Sequence, residues 1–162
     1  MVRVLVVGDS RTGKSKMMHL ATTGTCPLNL FTNRRPETFV LRGTTLTAQF
    51  CVVHGSASDA HLRAEIERGA DAIVIVFKNS ARSARTWLAR CTHDRPTSLP
   101  IMICQHDSSC EPGPPRAILR HYPTAEFTVT HSRRVVGLMD CANRIVRRAR
   151  AEPGSPLRFP LE

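Results

Sequence analysis

Gly8-Asp9-Ser10-Arg11-Thr12-Gly13-Lys14-Ser15 stands directly after Val2-Arg3-Val4-Leu5-Val6-Val7 and runs on into Lys16-Met17-Met18-His19-Leu20. The eight residues satisfy G-x-x-x-x-G-K-[ST] at every position, and each residue type has a chemical reason. Glycines let successive backbone N–H groups turn inward around phosphate oxygens, the lysine brings a point charge to the outer phosphates, and the serine hydroxyl can ligate Mg²⁺. The context matters as much as the pattern. Val2–Val7 is a short β-branched run that reads as a strand covered on both faces. Gly13–Leu20 reads as a helix, with Met17, Leu20 and Ala21 on one apolar stripe, and its N-terminus adds partial positive charge behind the loop.

Outward from this unit, strand and helix patterns alternate. From Thr22 to Pro36 the pattern dissolves into a surface loop. Strands Glu37–Leu41 and Leu46–Val53 follow, separated by Arg42-Gly43. Asp59–Gly69 is a polar helix with Leu62 and Ile66 four apart. Ala72–Phe77 is uniformly apolar, the pattern of a central parallel strand, and Ser80–Cys91 is a helix with Trp87 and Leu88 inward. Ile101–Cys104 reads as a further buried strand, Glu111–Pro115 as an irregular turn, Arg116–His121 as a short helix and Glu126–Thr130 as a strand. Between Arg133 and Arg150, Val135, Leu138, Met139, Ala142, Ile145, Val146 and Ala149 recur at helical spacing. The expected fold is α/β, a mostly parallel central sheet with helices on both faces, of the P-loop NTPase type. Residues 1–150 form its single domain, and 151–162, with three prolines, a short tail expected to be disordered.

Composition agrees with a globular chain. It has 162 residues, 41% hydrophobic and 22% charged, with a net charge of +10 that favours an acidic partner. No apolar run is long enough to span a membrane, and the amino terminus lacks the layout of a secretory signal, so an intracellular, cytoplasmic protein is expected. The six cysteines show no C-x-x-C pair or zinc spacing and read as free thiols of a reducing compartment. The seven histidines form no H-E-x-x-H pair, and no G-x-S-x-G elbow supports a serine triad. Few aromatics and no RNP-type or helix-turn-helix signature argue against nucleic-acid binding.

Later segments, taken in order, resemble the Ras superfamily of small GTPases, the Rab branch most. Arg68-Gly69-Ala70-Asp71-Ala72-Ile73-Val74-Ile75-Val76-Phe77, then Asn79–Ala84 and Trp87-Leu88, look like the Rab stretch that runs from "RGA" through a hydrophobic strand into a tryptophan-bearing helix. Pro100–Cys104 resembles the strand before the guanine-specificity motif, and Phe127–Arg133 the strand and loop on the other side of the base. The resemblance covers about residues 1–150 and implies a guanine-nucleotide protein that holds GTP or GDP and Mg²⁺. It implies Gly8–Ser15 as the phosphate loop, Ser15 and Thr38 as metal-side residues with Thr32 a rival for Thr38, and Gly55 as the γ-phosphate glycine. Gln105, His106 and Asp107 with Ser132 and Arg133 fall at the base.

The departures carry as much information. Val52-Val53-His54-Gly55 stands where D-x-x-G belongs, so an apolar side chain replaces the carboxylate behind the metal's water shell, and Ser56 replaces the glutamine that orients water. Gln105-His106-Asp107-Ser108 stands in place of N-K-x-D: either Asp107 shifts to the base or Ser108 faces it and guanine specificity is lost. His131-Ser132-Arg133 replaces S-A-K. Hydrolysis is expected to be slow or absent. The carboxyl terminus has no cysteine for a prenyl anchor and Val2 excludes myristoylation. Arg144, Arg147, Arg148 and Arg150 form a solvated face with a secondary reading as a weak contact for an anionic membrane or an acidic partner.

The resulting expectation is a divergent Rab-like GTP-binding module that works through protein effectors or regulators in signalling or vesicle traffic. Its alternatives are a slow, partner-assisted GTPase, a pseudoGTPase that binds no nucleotide, and a small P-loop kinase with Arg116 and Arg120 as a thin lid.

Overall fold

A computed structural model describes residues 1–24, 37–42, 47–93, 99–108 and 116–131, together with 144, 145 and 147. Six strands, β1 Val2–Val7, β2 Glu37–Arg42, β3 Thr47–Val52, β4 Ala72–Phe77, β5 Ile101–His106 and β6 Glu126–Thr130, form one mixed sheet in the order β2-β3-β1-β4-β5-β6. β2 runs antiparallel to β3, and every other pairing is parallel. Four helices complete the described chain: α1 Lys14–Thr23, α2 Asp59–Glu67, α3 Ala81–Thr92 and α4 Arg116–His121. The α/β class and the mostly parallel sheet expected from the sequence are therefore present.

Strand alternation divides the core in two. Val4, Val6, Phe50, Val52, Val74, Val76 and Met102 point to the face covered by Met17 and Met18 of α1 and by Ile145. Leu5, Val7, Cys51, Ile73, Ile75 and Ile103 point to the other face, under Leu62 of α2, Trp87 and Leu88 of α3 and Ile118 of α4. All six residues of β4 and of β5 are buried, as befits central parallel strands. β2 is one of the sheet's two edge strands and alternates, with Phe39 buried between exposed Thr38 and Val40.

Several boundaries differ from the sequence expectation for physical reasons. α1 continues through Thr22 and Thr23, whose hydroxyls are taken up by the carbonyls of Met18 and His19 one turn back, at 2.8 Å each, until the left-handed Gly24 closes the helix on Leu20. β5 continues past Cys104 through Gln105 and His106, two polar residues whose side chains find buried partners. Ile145 of the expected last helix is fully buried, as its stripe requires. Arg144 is half-buried and donates to the Thr128 hydroxyl at 3.0 Å, so it is not part of a solvated basic face; Arg147 is exposed. Cys51, Cys91 and Cys104 are buried thiols outside any disulfide, and burial pushes the Cys91 thiol up to about 12. Among the described residues no helix is long and apolar enough to cross a membrane. The expected tail at 151–162 lies outside the described residues.

The start of β1 is fastened to α2 by a buried acid. Glu65 receives the Arg3 guanidinium at 2.6 Å on one carboxylate oxygen and Arg68 on the other, and its main-chain carbonyl accepts a further Arg3 hydrogen bond at 2.7 Å. The Glu65 side chain is 3% exposed and that of Arg68 65%, so the two arginines differ sharply in worth. Glu65→Ala strands a part-buried Arg3 and should destabilise the protein by about 3 kcal/mol. Arg68→Ala should cost less than about 1 kcal/mol, because its pair is screened by water. Urea denaturation of the two variants measures the difference.

Candidate functional site

The Gly8–Gly13 turn connects the end of β1 to the first residue of α1. Gly8 has φ +147° and lies so close to β4 that a Cβ there would sit 2.1 Å from the Val76 carbonyl oxygen. Gly13, with φ +88°, is the N-cap of α1, and a Cβ on it would fall 2.9 Å from Cδ2 of the His106 ring. Between them Arg11 also takes a left-handed conformation, at φ +65°, which a non-glycine residue adopts only at a cost.

Lys14 organises the turn. Its ammonium donates to the Gly8 carbonyl at 2.7 Å and the Asp9 carbonyl at 2.6 Å, with the Thr12 hydroxyl 3.5 Å away; Thr12 itself donates to the Asp9 carbonyl at 2.9 Å. The lysine is 6% exposed. Burial pushes its pKa down to about 8, against the opposing pull of the Asp9 carboxylate. An ammonium has three donors, and two are committed to carbonyls at short range. The third makes only the long contact with the Thr12 hydroxyl and lies beside the N-terminus of α1, where an anion is favoured.

Asp9, within the expected phosphate loop, directs its carboxylate to α3. Oδ1 accepts the Trp87 indole N–H at 2.8 Å. The carboxyl is held below its ordinary value first by the neighbouring Ser83 side chain, then by Trp87 and by the charges of Lys14 and Arg90, while burial works in the opposite direction. Arg90 stacks over Trp87, 4.1 Å from the ring centroid, and reaches on to Asp59 Oδ1 at 2.6 Å and to the Ala57 carbonyl. The turn is thus joined through α3 to the segment between β3 and α2. Gly55 in that segment packs straight onto the turn: a Cβ there would lie 2.1 Å from the Ser10 amide nitrogen. Val52 is buried among apolar side chains, and Ser56 Oγ lies 2.7 Å from Nδ1 of the exposed His54.

At the end of β5, His106 is buried with Nδ1 2.9 Å from the Thr130 hydroxyl. Burial lowers its pKa, Asp107 opposes that shift, and Lys16, His131 and Lys78 reinforce it. Asp107 sits at φ +46° with a carboxylate oxygen 3.5 Å from His106 Nε2. Gln105 Nε2 donates to Ser108 Oγ at 2.9 Å, and Ser108 in turn to Asn79 Oδ1 at 3.1 Å.

The structure brings Gly8–Ser15, Gly55 and His106 together and sets Gln105, Asp107 and Ser108 beside His106. It does not bring Thr38 to Ser15. Thr38 is an exposed residue of a strand rather than of a loop, and it pairs with Cys51, whose side chain belongs to the sheet face opposite α1. Thr32, Ser132 and Arg133 lie outside the described residues. The sequence does not mark Trp87 and Arg90 as supports of the turn; only a tryptophan in a largely polar helix hints at them. Among the described residues no group of three or more His, Cys, Asp or Glu is placed to hold a metal ion. No family model matches the chain, and no curated protein matches it significantly.

Lys14 predicts a pH signature. Between pH 8 and the ordinary lysine range the unfolded chain holds a proton that the folded chain has released, so stability rises with pH across that window. Lys14→Met should remove a gain on the order of 2 kcal/mol between pH 7.5 and pH 10. Urea midpoints of both proteins at the two pH values give the comparison.

Proposed function

We propose that the chain is a small-GTPase-like nucleotide-binding module of the P-loop type, holding the phosphates of GTP or GDP at Gly8–Ser15 and acting through protein partners with weak or no hydrolysis. The observation that carries this is the Lys14 ammonium, held by two loop carbonyls at the head of α1 with its remaining donor in only a long 3.5 Å contact to the Thr12 hydroxyl. Position supports it. From β1 the chain crosses to α1 on one face and toward β3, whereas β4 leads to α3 on the other face and toward β5. Ligands of open α/β sheets bind in the crevice where neighbouring strands diverge in this way, and Gly8 sits there against Val76.

Weak hydrolysis follows from the apolar Val52 and from Ser56, a short hydroxyl engaged with His54 where a water-orienting amide would be needed. The choice of guanine rests on the resemblance in residues 68–88, and selectivity at the base falls to Asp107 or to the Gln105–Ser108 pair. A second reading, an interaction module without nucleotide, draws on Gly55 packed against Ser10, which narrows the turn from the β3 side.

Acid denaturation of the purified protein and chromatography of the released small molecules should yield GDP or GTP at close to one per chain. Lys14→Ala should weaken binding of fluorescent GDP about 100-fold, the loss of a charge-assisted contact. Protein that releases no nucleotide and binds none supports the second reading and overturns the first.

A further inference from the structure

Of the four buried side-chain polar atoms without a hydrogen-bond partner among the described residues, one belongs to a carboxylate, that of Glu37. Its Oε2 is shut off from solvent and has no hydrogen-bond partner. A carboxylate oxygen left in that state costs more than almost any other polar atom. Either the position is tolerated at a loss or something binds there.

Its surroundings follow from register. Glu37 pairs with Val52 across the β2–β3 ladder, so the two side chains share a face. That face is the one covered by α1, since Val52 and Phe39 pack with Met17 and Met18. The contact between α1 and β2 includes the His19 and Phe39 rings, edge to face with centroids 4.8 Å apart.

α1 leaves the end of β1 and runs back across the sheet, and β2 is antiparallel to its β1-aligned neighbour β3, so helix and strand run the same way. Ser15 is four residues before His19, on the same side of the helix and about 6 Å nearer its N-terminus. Glu37 is two residues before Phe39, on the same side of the strand and about 6.6 Å nearer the same end. The Ser15–Glu37 level therefore lies one step above the His19–Phe39 contact, next to the Gly8–Gly13 turn.

We propose that Glu37 and Ser15 together hold a divalent cation of the Mg²⁺ class against the bound phosphates, the carboxylate absent from Val52 at the end of β3 being supplied across the ladder from β2. The proposal rests on the phosphate-binding reading of Gly8–Ser15. The donor set fits the ion: Mg²⁺ takes hard oxygen ligands, commonly one or two carboxylates plus phosphate oxygens, and keeps its remaining waters. Thr38, the neighbouring residue, is on the opposite face and takes no part. The cation would give the buried Glu37 oxygen its missing partner, which makes metal and nucleotide binding mutually supportive.

The test measures the affinity of the full chain for fluorescent GDP in EDTA and in millimolar MgCl₂. The wild-type protein should bind at least about tenfold more tightly with Mg²⁺. Glu37→Gln should reduce that ratio to less than about twofold, and Glu37→Asp, which withdraws the carboxylate by one methylene, should leave it intermediate. Electron paramagnetic resonance of Mn²⁺ should count one bound ion per chain in the presence of GDP for the wild type and none for Glu37→Gln, a readout independent of turnover.

A full Mg²⁺ gain in folded Glu37→Gln, or its loss in Thr38→Val instead, overturns the proposal and leaves nucleotide binding standing. So does GDP binding by the wild type that is indifferent to Mg²⁺. Absence of GDP binding under both conditions overturns the phosphate-binding reading and this proposal with it. Should Glu37→Gln fail to fold, Glu37→Asp and the Mn²⁺ count on the wild type still decide.

Discussion

A lysine ammonium buried against two backbone carbonyls is the contact around which the rest of this site is arranged. Lys14 is the first residue of α1, and its side chain reaches back over the turn to Gly8 and Asp9, six and five residues earlier. That reach ties the end of β1 to the beginning of α1 and sets the turn's width. Neighbouring constraints follow from it. Gly8 must pass within contact of the Val76 carbonyl for the turn to clear β4, and Gly13 must be left-handed for the helix to begin where Lys14 can fold back. Thr12 reinforces the arrangement through the same Asp9 carbonyl.

The turn is braced from outside by contacts of unequal strength. Trp87 is almost wholly buried and spends its only polar donor on Asp9, so breaking that bond would leave an indole N–H without a partner in the core. Arg90, by contrast, links Trp87 to Asp59 through a largely exposed carboxylate, a contact that salt screens and thermal motion loosens. The segment holding Gly55 is thus firmly seated where it touches Ser10 and more weakly tethered toward α2.

What could be read in advance divides along sequence distance. Local patterns are legible: the apolar runs of β1, broken only by Arg3, and of β4, the limits of α4 and β6, and the turn itself, whose chemistry lies within eight consecutive residues. Polar residues that become buried are not, because their burial depends on partners far along the chain. Gln105 and His106 look like loop letters until Ser108 and Thr130 supply their hydrogen bonds. Glu65 looked like one more charge on a polar helix until Arg3, 62 residues away, reached it. The Asp9–Trp87 pair spans 78 residues. Thr38 shows the opposite failure: its residue type and its place in the order suited a metal ligand, but strand alternation sends it to the wrong face.

An intact motif is weaker evidence than it looks when packing alone demands part of it. Gly8 and Gly13 would be required by the Val76 carbonyl and the His106 ring even if nothing ever bound here. Lys14 differs. A methionine there would dehydrate no charge but would take a donor from the Gly8 and Asp9 carbonyls, whereas the ammonium, its pKa pushed down to about 8, is held at a cost that those hydrogen bonds offset only in part. Under the proposed phosphate-binding reading, an anion would repay the rest of that dehydration through a short contact in a low-dielectric setting, where such contacts are strongest. The glycines therefore speak to how the turn folds, and the cost of the buried ammonium is the feature that the proposed reading would explain.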